Sequence, residues 1–197
     1  MNVLNRNINN IFFLFSHLIL WTLIPSLSNT NLPLDTIEAL AWGSNLNWGF
    51  SKHPPFSAFA VEFFYNIFGN NDWAYYLLSQ IFVLIAFYYV FKFSYEIFEN
   101  IKFSLISVFL LESIYFYNFT TPEFNVNVCQ LPFWSLVVYY SWKIYVAKEI
   151  KFFDCCLIGL FGALGFLSKY LFIYLLSSLI LLFVYLIFFK KTKKFDF

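Results

Sequence analysis

The chain alternates long apolar runs with short polar connections, and the runs set the elements. A helix crosses a bilayer core with about 20 apolar residues, and 17–25 are tolerated. Residues 11–27 form the first such run, which carries His17 and Pro25. No small-x-small cleavage pattern follows it, so it reads as a spanning helix rather than a removable leader. Further runs cover residues 73–91, 103–117 (with Glu112 inside) and 124–146 (with Pro132 inside). From Phe152 onward the chain is apolar almost to its end, broken only by Asp154 and Lys169. As one helix that stretch would be about 57 Å long, against a hydrocarbon core of about 30 Å. It should therefore divide near Ser168–Lys169 into spans at 152–168 and 170–189. The expected architecture is all-α: a polytopic integral membrane protein of about six spans, forming a single membrane domain over residues 1–197.

The longest polar connection, residues 28–72, has a pattern of its own. Pro33 suits a helix start, and Asp35 follows where the helix dipole favours an anion. Asp35, Glu38, Trp42 and Asn45 then recur at i, i+3, i+7 and i+10, on one face of a short helix. The prolines at 54 and 55 can open a second helix, to Phe68, closed by Gly69. It carries a stripe of Phe56, Phe59, Phe63 and Ile67. At this length it cannot span, and the stripe predicts an amphipathic helix in the outer interface. A second outer segment, residues 118–125, is short and polar and places Glu123 at the mouth of the fourth span.

Composition agrees with this reading. The chain is 61% hydrophobic and 12% charged, whereas soluble domains run near 45–50% apolar and about 25% charged. That excludes a soluble domain, a disordered chain and a nucleic-acid binder. Net charge is only +1, so placement matters more than total. With a cytoplasmic N-terminus, Arg6, Lys92, Lys102, Lys143, Lys148, Lys151, Lys190, Lys191, Lys193 and Lys194 fall on the inner side. Only Lys52 and Lys169 fall outside, and the positive-inside rule gives no reason for either. The outer face thus gathers Asp35, Glu38, Lys52, His53, Glu123 and Lys169. Cys129, Cys155 and Cys156 form no C-x-x-C pair and read as small apolar residues.

The run Leu34-Asp35-Thr36-Ile37-Glu38-Ala39-Leu40-Ala41-Trp42, followed by Lys52-His53-Pro54-Pro55, resembles the first outer loop of dolichyl-phosphate-mannose–protein mannosyltransferase-like glycosyltransferases. Their bacterial relatives, among them the aminoarabinose transferase of lipid A modification, are a narrower match. Glu112-Ser113-Ile114-Tyr115, Thr121-Pro122-Glu123-Phe124-Asn125 and the run from Gly162 to Tyr170 add to it. The resemblance implies the GT-C membrane fold, of which this chain is the N-terminal part. It also implies transfer of a hexosyl or pentosyl group from a polyprenyl-phosphate carrier to a glycan, lipid or protein acceptor on the non-cytoplasmic face. It points to a bacterial inner membrane, with the active face periplasmic or extracellular. The resemblance sets Asp35 near the catalytic centre, His53 at the carrier phosphate with Lys52 beside it, and Glu123 as the acidic residue of the second outer loop.

Transfer from a lipid phosphate needs a base, stabilisation of an oxocarbenium-like sugar and a hold on the leaving phosphate. Asp35 is the candidate base. Glu38 orients acceptor or sugar, or raises the pKa of Asp35 by like charge. Lys52, His53 and Lys169 offer charge-assisted hydrogen bonds to phosphate. Trp42 and Trp48 offer flat faces to a sugar or isoprenoid. Glu123 could bind sugar hydroxyls or help hold a divalent metal, though carboxylate spacing alone defines no metal site. His17 is read as a helix–helix hydrogen bond, while Glu112 stays open between function and packing.

Family members are usually more than twice as long. The sixth span runs into Lys190-Lys191-Thr192-Lys193-Lys194, which leaves a fragment, a truncated frame or half of a split enzyme open. Two other classes compete: a transporter or flippase for a lipid-linked precursor, and a non-catalytic subunit whose partner chain supplies missing helices. A transporter would concentrate its polar groups near the midplane.

Overall fold

The computed structural model describes residues 3–188, with side chains from Phe12 onward. Arg6, Lys190, Lys191, Lys193 and Lys194, all assigned above to the inner side, lie outside the described side chains. All regular structure among the described residues is helical, with no strand. In order they form α1 (Val3–Ser28), α2 (Leu34–Gly43), α3 (Phe56–Phe68), α4 (Asp72–Phe98) and α5 (Ile101–Glu112). There follow α6 (Tyr115–Asn118), α7 (Val126–Val146), α8 (Phe152–Ser168), a 3-10 turn (Tyr170–Phe172) and α9 (Ile173–Phe188).

Among the described residues, Asp72–Phe98 and Tyr170–Phe188 are long and apolar enough to cross a membrane. Phe12–Ser28 and Phe152–Ser168 are shorter apolar helices. The third expected span departs most from expectation. It breaks at Ser113–Ile114, where Ile114 is extended (ψ 124°). The remaining 12-residue α5 is about 18 Å long, short of a bilayer core. Neither glycine nor proline causes this break. The Asn118 amide donates to the Glu112 carbonyl at 2.5 Å, which satisfies an orphan helix-end carbonyl and turns the chain. α4, in contrast, continues past Lys92 to Phe98; lysine is a good helix former, and its ammonium lies over the Tyr139 ring, 4.8 Å away.

α4 is the hub, packed against α1, α5 and α7, while α7 packs against α8. Ring contacts fix the directions. Phe82 meets Phe124 and Phe133, and further along Tyr89 meets Tyr139 and Phe93 meets Trp142, so α4 and α7 run parallel. Lys143 bonds Asp154 near one end of α7 and Lys169 bonds Asn127 near the other, so α8 runs antiparallel to α7. Tyr75, Leu78, Val83 and Phe87 of α4 form the centre of the core, with Val61, Val108, Phe124 and Val128. Phe133, Leu136 and Val137 close on Phe172 in a second cluster.

Helices in lipid gain little by hiding apolar surface from each other and depend on close packing, so small residues collect at their contacts. A Cβ on Gly43 would come within 2.9 Å of the Ala58 carbonyl oxygen, and one on Gly165 within 2.4 Å of the Phe172 ring. This also decides how α3 sits. Its buried residues are the small Ser57, Ala58 and Val61, not the phenylalanine stripe. Of that stripe, Phe63 and Ile67 are exposed and Phe56 and Phe59 half-buried.

Candidate active site

The starting point is the N-terminus of α2. Its N-cap is Pro33, which has no side-chain acceptor for the first free amides. The acceptor comes from 88 residues away: the Asp35 N–H donates to Glu123 Oε1 at 3.1 Å. One residue on, the Thr36 hydroxyl donates to the Phe124 carbonyl at 3.1 Å. Glu123 thus serves α2 as an N-cap in trans, its charge on the positive end of the helix dipole. This gives Glu123 a structural role that the sequence did not suggest, beside the sugar or metal contact expected of it. One of its oxygens fixes the backbone of Asp35.

The helical register then places Glu38 one turn after Asp35 and Trp42 one turn further. Glu38 Oε2 accepts from Lys52 Nζ at 2.8 Å across the α2–α3 connection. That bond chiefly raises the pKa of Lys52 above its ordinary value, and the charges of Glu38 and Asp35 assist. The Phe50 N–H donates to the His53 carbonyl at 3.2 Å, closing a turn before the two prolines. It stacks Phe50 on Trp42, with centroids 5.0 Å apart and planes 10° apart. His53 stands edge-on to the same indole at 5.9 Å. Trp42 is therefore sandwiched into the loop, while Trp48 is 80% exposed and lies edge-on to Phe59.

Asp35, Glu38, Trp42, His53, Ser57 and Asn125 line one cleft. Its free space is about that of a single water molecule, so these side chains already converge. The pKa of His53 is lowered, first by burial and then by Lys52, with Lys169 adding to it; Glu38 and Asp35 pull the other way. Within the described residues, the Asp35 carboxylate has no ion-pair partner. Lys169 follows the end of α8 in an extended conformation and donates to Asn127 Oδ1. It stands beside the cleft rather than in its lining, and acts on His53 through its charge. Among the described residues, no three His, Cys, Asp or Glu side chains converge as donors for a metal ion.

Sequence reasoning missed Ser57, Asn125 and Asn127. Asn125 carried a readable signal, an Asn just ahead of an apolar run: its Oδ1 accepts from the Asn127 N–H at 2.9 Å and the Val128 N–H at 3.2 Å, capping α7. Ser57 and Asn127 carried none.

The family profile of dolichyl-phosphate-mannose-protein mannosyltransferases matches residues 52–196. The chain belongs to that family. It is therefore a membrane protein of a glycosyltransferase family. The match includes Lys52, His53, Glu123 and Lys169 and begins after Asp35, Glu38 and Trp42, which join the site through the contacts above. No curated protein and no solved structure matches the chain.

Proposed function

We propose that this chain transfers a sugar from a polyprenyl-phosphate donor to an acceptor hydroxyl at the non-cytoplasmic face, with Asp35 as general base. The observation that carries this is the bond from the Asp35 N–H to Glu123. It locks the backbone of Asp35 and leaves its carboxylate free to take a proton in the cleft it shares with His53. The acceptor oxygen attacks the anomeric carbon while its proton passes to Asp35. The bond from that carbon to the phosphate oxygen breaks, and the electron pair leaves with the phosphate. The configuration inverts once. Phosphate is a good leaving group, so no acid is required on that side. Lys52 and His53 hold the leaving phosphate, and Lys169 adds positive field. Because the pKa of His53 is lowered, at neutral pH it acts as a neutral hydrogen-bond donor. Glu38 holds Lys52 in place.

The isoprenoid chain lies in an open groove of about 550 Å³, lined by Ala86, Val90, Leu131, Trp134 and Val138, with Asn127 at one end. The face carrying the cleft is periplasmic or extracellular, in a bacterial inner membrane. The test is transfer of label from a polyprenyl-phosphate sugar in membranes holding this protein, wild type against Asp35→Asn. Equal rates would remove Asp35 as the base.

A further inference from the structure

The region between α1, α4 and α5 holds a buried polar chain that the proposed chemistry does not use. His17 is 3% exposed, and Ser79, Gln80 and Thr121 are each 0% exposed. His17 Nε2 and Gln80 Oε1 are 3.0 Å apart. Gln80 Nε2 reaches Thr121 Oγ1 at 3.4 Å, and the Ser79 hydroxyl donates to the Thr121 carbonyl. Behind His17, its Nδ1 lies 2.8 Å from Glu112 Oε2, at ion-pair distance though out of hydrogen-bond alignment. Trp21 Nε1 donates to the other Glu112 oxygen at 3.3 Å.

The hydrogens in this chain follow from its far end. Thr121 Oγ1 donates to the Asn118 carbonyl at 3.0 Å, so it can only accept from Gln80. Gln80 therefore turns its NH2 to Thr121 and its oxygen to His17, and the His17 Nε2–H donates to it. Each member is oriented by the next. Such buried networks select one arrangement, because any other leaves a polar group unpaired away from water.

The chain ends in a segment that is locally stiff. The Asn118 amide donates to the Glu112 carbonyl, the Thr120 hydroxyl to the Phe116 carbonyl at 2.7 Å, and the Glu123 N–H to the Thr120 carbonyl at 3.2 Å. Holding Thr121 therefore fixes Glu123 two residues on, and Glu123 fixes the Asp35 backbone.

We propose that Gln80, oriented by His17, is a positioning residue: through Thr121 it sets Glu123 and so the N-terminus of α2 that presents Asp35. This rests on the reading of Asp35 as the base. Its members do not line the large groove between α4, α5 and α7, so the chain is a brace and not part of a substrate path.

The experiment is hydrogen exchange on the full chain in detergent, read on the peptide holding residues 33–37, beside transfer kinetics in membranes. Gln80→Leu should speed exchange of that peptide about tenfold, roughly the loss of one hydrogen bond's net stability, with α8 and α9 unchanged. It should also lower kcat with donor KM unmoved. If Gln80→Leu unfolds, Thr121→Val removes only the hydroxyl and should act in the same direction, while Thr121→Ser restores both readouts. Unchanged exchange in Gln80→Leu and Thr121→Val overturns the proposal. So does faster exchange with unchanged kcat where Asp35→Asn abolishes transfer. If Asp35→Asn leaves transfer intact while exchange responds, the base assignment fails and the brace stands as a structural link alone.

Discussion

The two polar ends of the helix bundle are built on different terms. At the end that holds the α4–α5 and α7–α8 connections, loops are short and the charges of Lys92, Glu96, Lys143 and Asp154 are matched within the fold. Lys143 bonds Asp154 at 2.9 Å, the Tyr139 hydroxyl donates to Glu96 at 2.6 Å, and Lys92 lies over the rings of Tyr89 and Tyr139. At the opposite end the connections carry helices of their own, and the acidic side chains are used unequally. Glu123 is taken up by the backbone of α2, Glu38 by Lys52, and the carboxylate of Asp35 by no cation among the described residues. Lysines at the first end suffice to orient a membrane protein. Lysines at the second end, Lys52 and Lys169, need a chemical reason. Hydrogen-bonding capacity left unused by the fold is what a ligand can claim.

The sharpest way to break this contrast is to remove one carboxylate at each end without changing shape. Asp35→Asn should lower sugar transfer by about 10²–10⁴, the range of general-base catalysis. Glu96→Gln still offers an oxygen to the Tyr139 hydroxyl and should cause no comparable loss. Equal effects, measured as initial rates in the same membrane preparation, would erase the distinction between the two ends.

The next largest effect concerns stability. Gly165→Ala sets a methyl 2.4 Å from the buried Phe172 ring, which forms the turn behind Lys169. It should destabilise by about 1–3 kcal/mol, as overpacking does. Gly159 lies on the same helix with nothing within 4 Å of an added Cβ. Gly159→Ala should be neutral or stabilising by up to about 1 kcal/mol, through helix propensity. Thermal unfolding in detergent separates the two. A similar Tm for both would mean that α8 does not approach the turn so closely.

Much of this was legible in the letters, and the exceptions have physical reasons. Pro33, Pro55 and Gly69 punctuate the first outer loop strongly enough to locate α2 and α3, and the spacing of Asp35, Glu38 and Trp42 put them on one face. The division at Ser168–Lys169 followed from length alone. The break after Glu112 was not legible, because its cause is a side chain six residues away. The bond from the Asp35 N–H to Glu123 joins segments that carry no local sign of each other. The stripe of α3 said which side is apolar but not which residues pack inward, where close packing favours small ones. That left Ser57 out of the predicted site.

A third test acts on the matched end. Asp154 is buried (5% side-chain exposure), whereas its partner Lys143 keeps 41%. Lys143→Met leaves the carboxylate alone and should cost about 1–2 kcal/mol. This is below the usual value for a broken buried pair, because water reaches the lysine side. Replacing both, by Lys143→Met with Asp154→Leu, should recover most of that, with transfer activity following the amount of folded protein. A loss of turnover beyond the loss of fold would show that this end also takes part in the chemistry.

The smallest effect tests whether the open end is one electrostatic unit. The pKa of His53 lies below 6.5 in the fold, through burial first and the charge of Lys52 second. The folded chain therefore binds fewer protons at this site than the unfolded chain does. Stability at His53 is fully present above pH 6.5 and is lost as pH falls from 6.5 through the lowered value. His53→Gln should flatten that acid slope in a plot of Tm against pH and leave the neutral region alone. Lys52→Ala should narrow the same window without touching His53. It removes one charge that repels the imidazolium and frees Glu38 to attract it, and both changes move the pKa of His53 back toward 6.5. Because Lys52 is exposed, Tm at neutral pH should stay the same. An acid slope that ignores Lys52→Ala would mean that lysine and imidazole do not share a field. His53 and Glu38 would then be neighbours in a loop, and the unused carboxylate of Asp35 would stand without the cations that make its end of the molecule different.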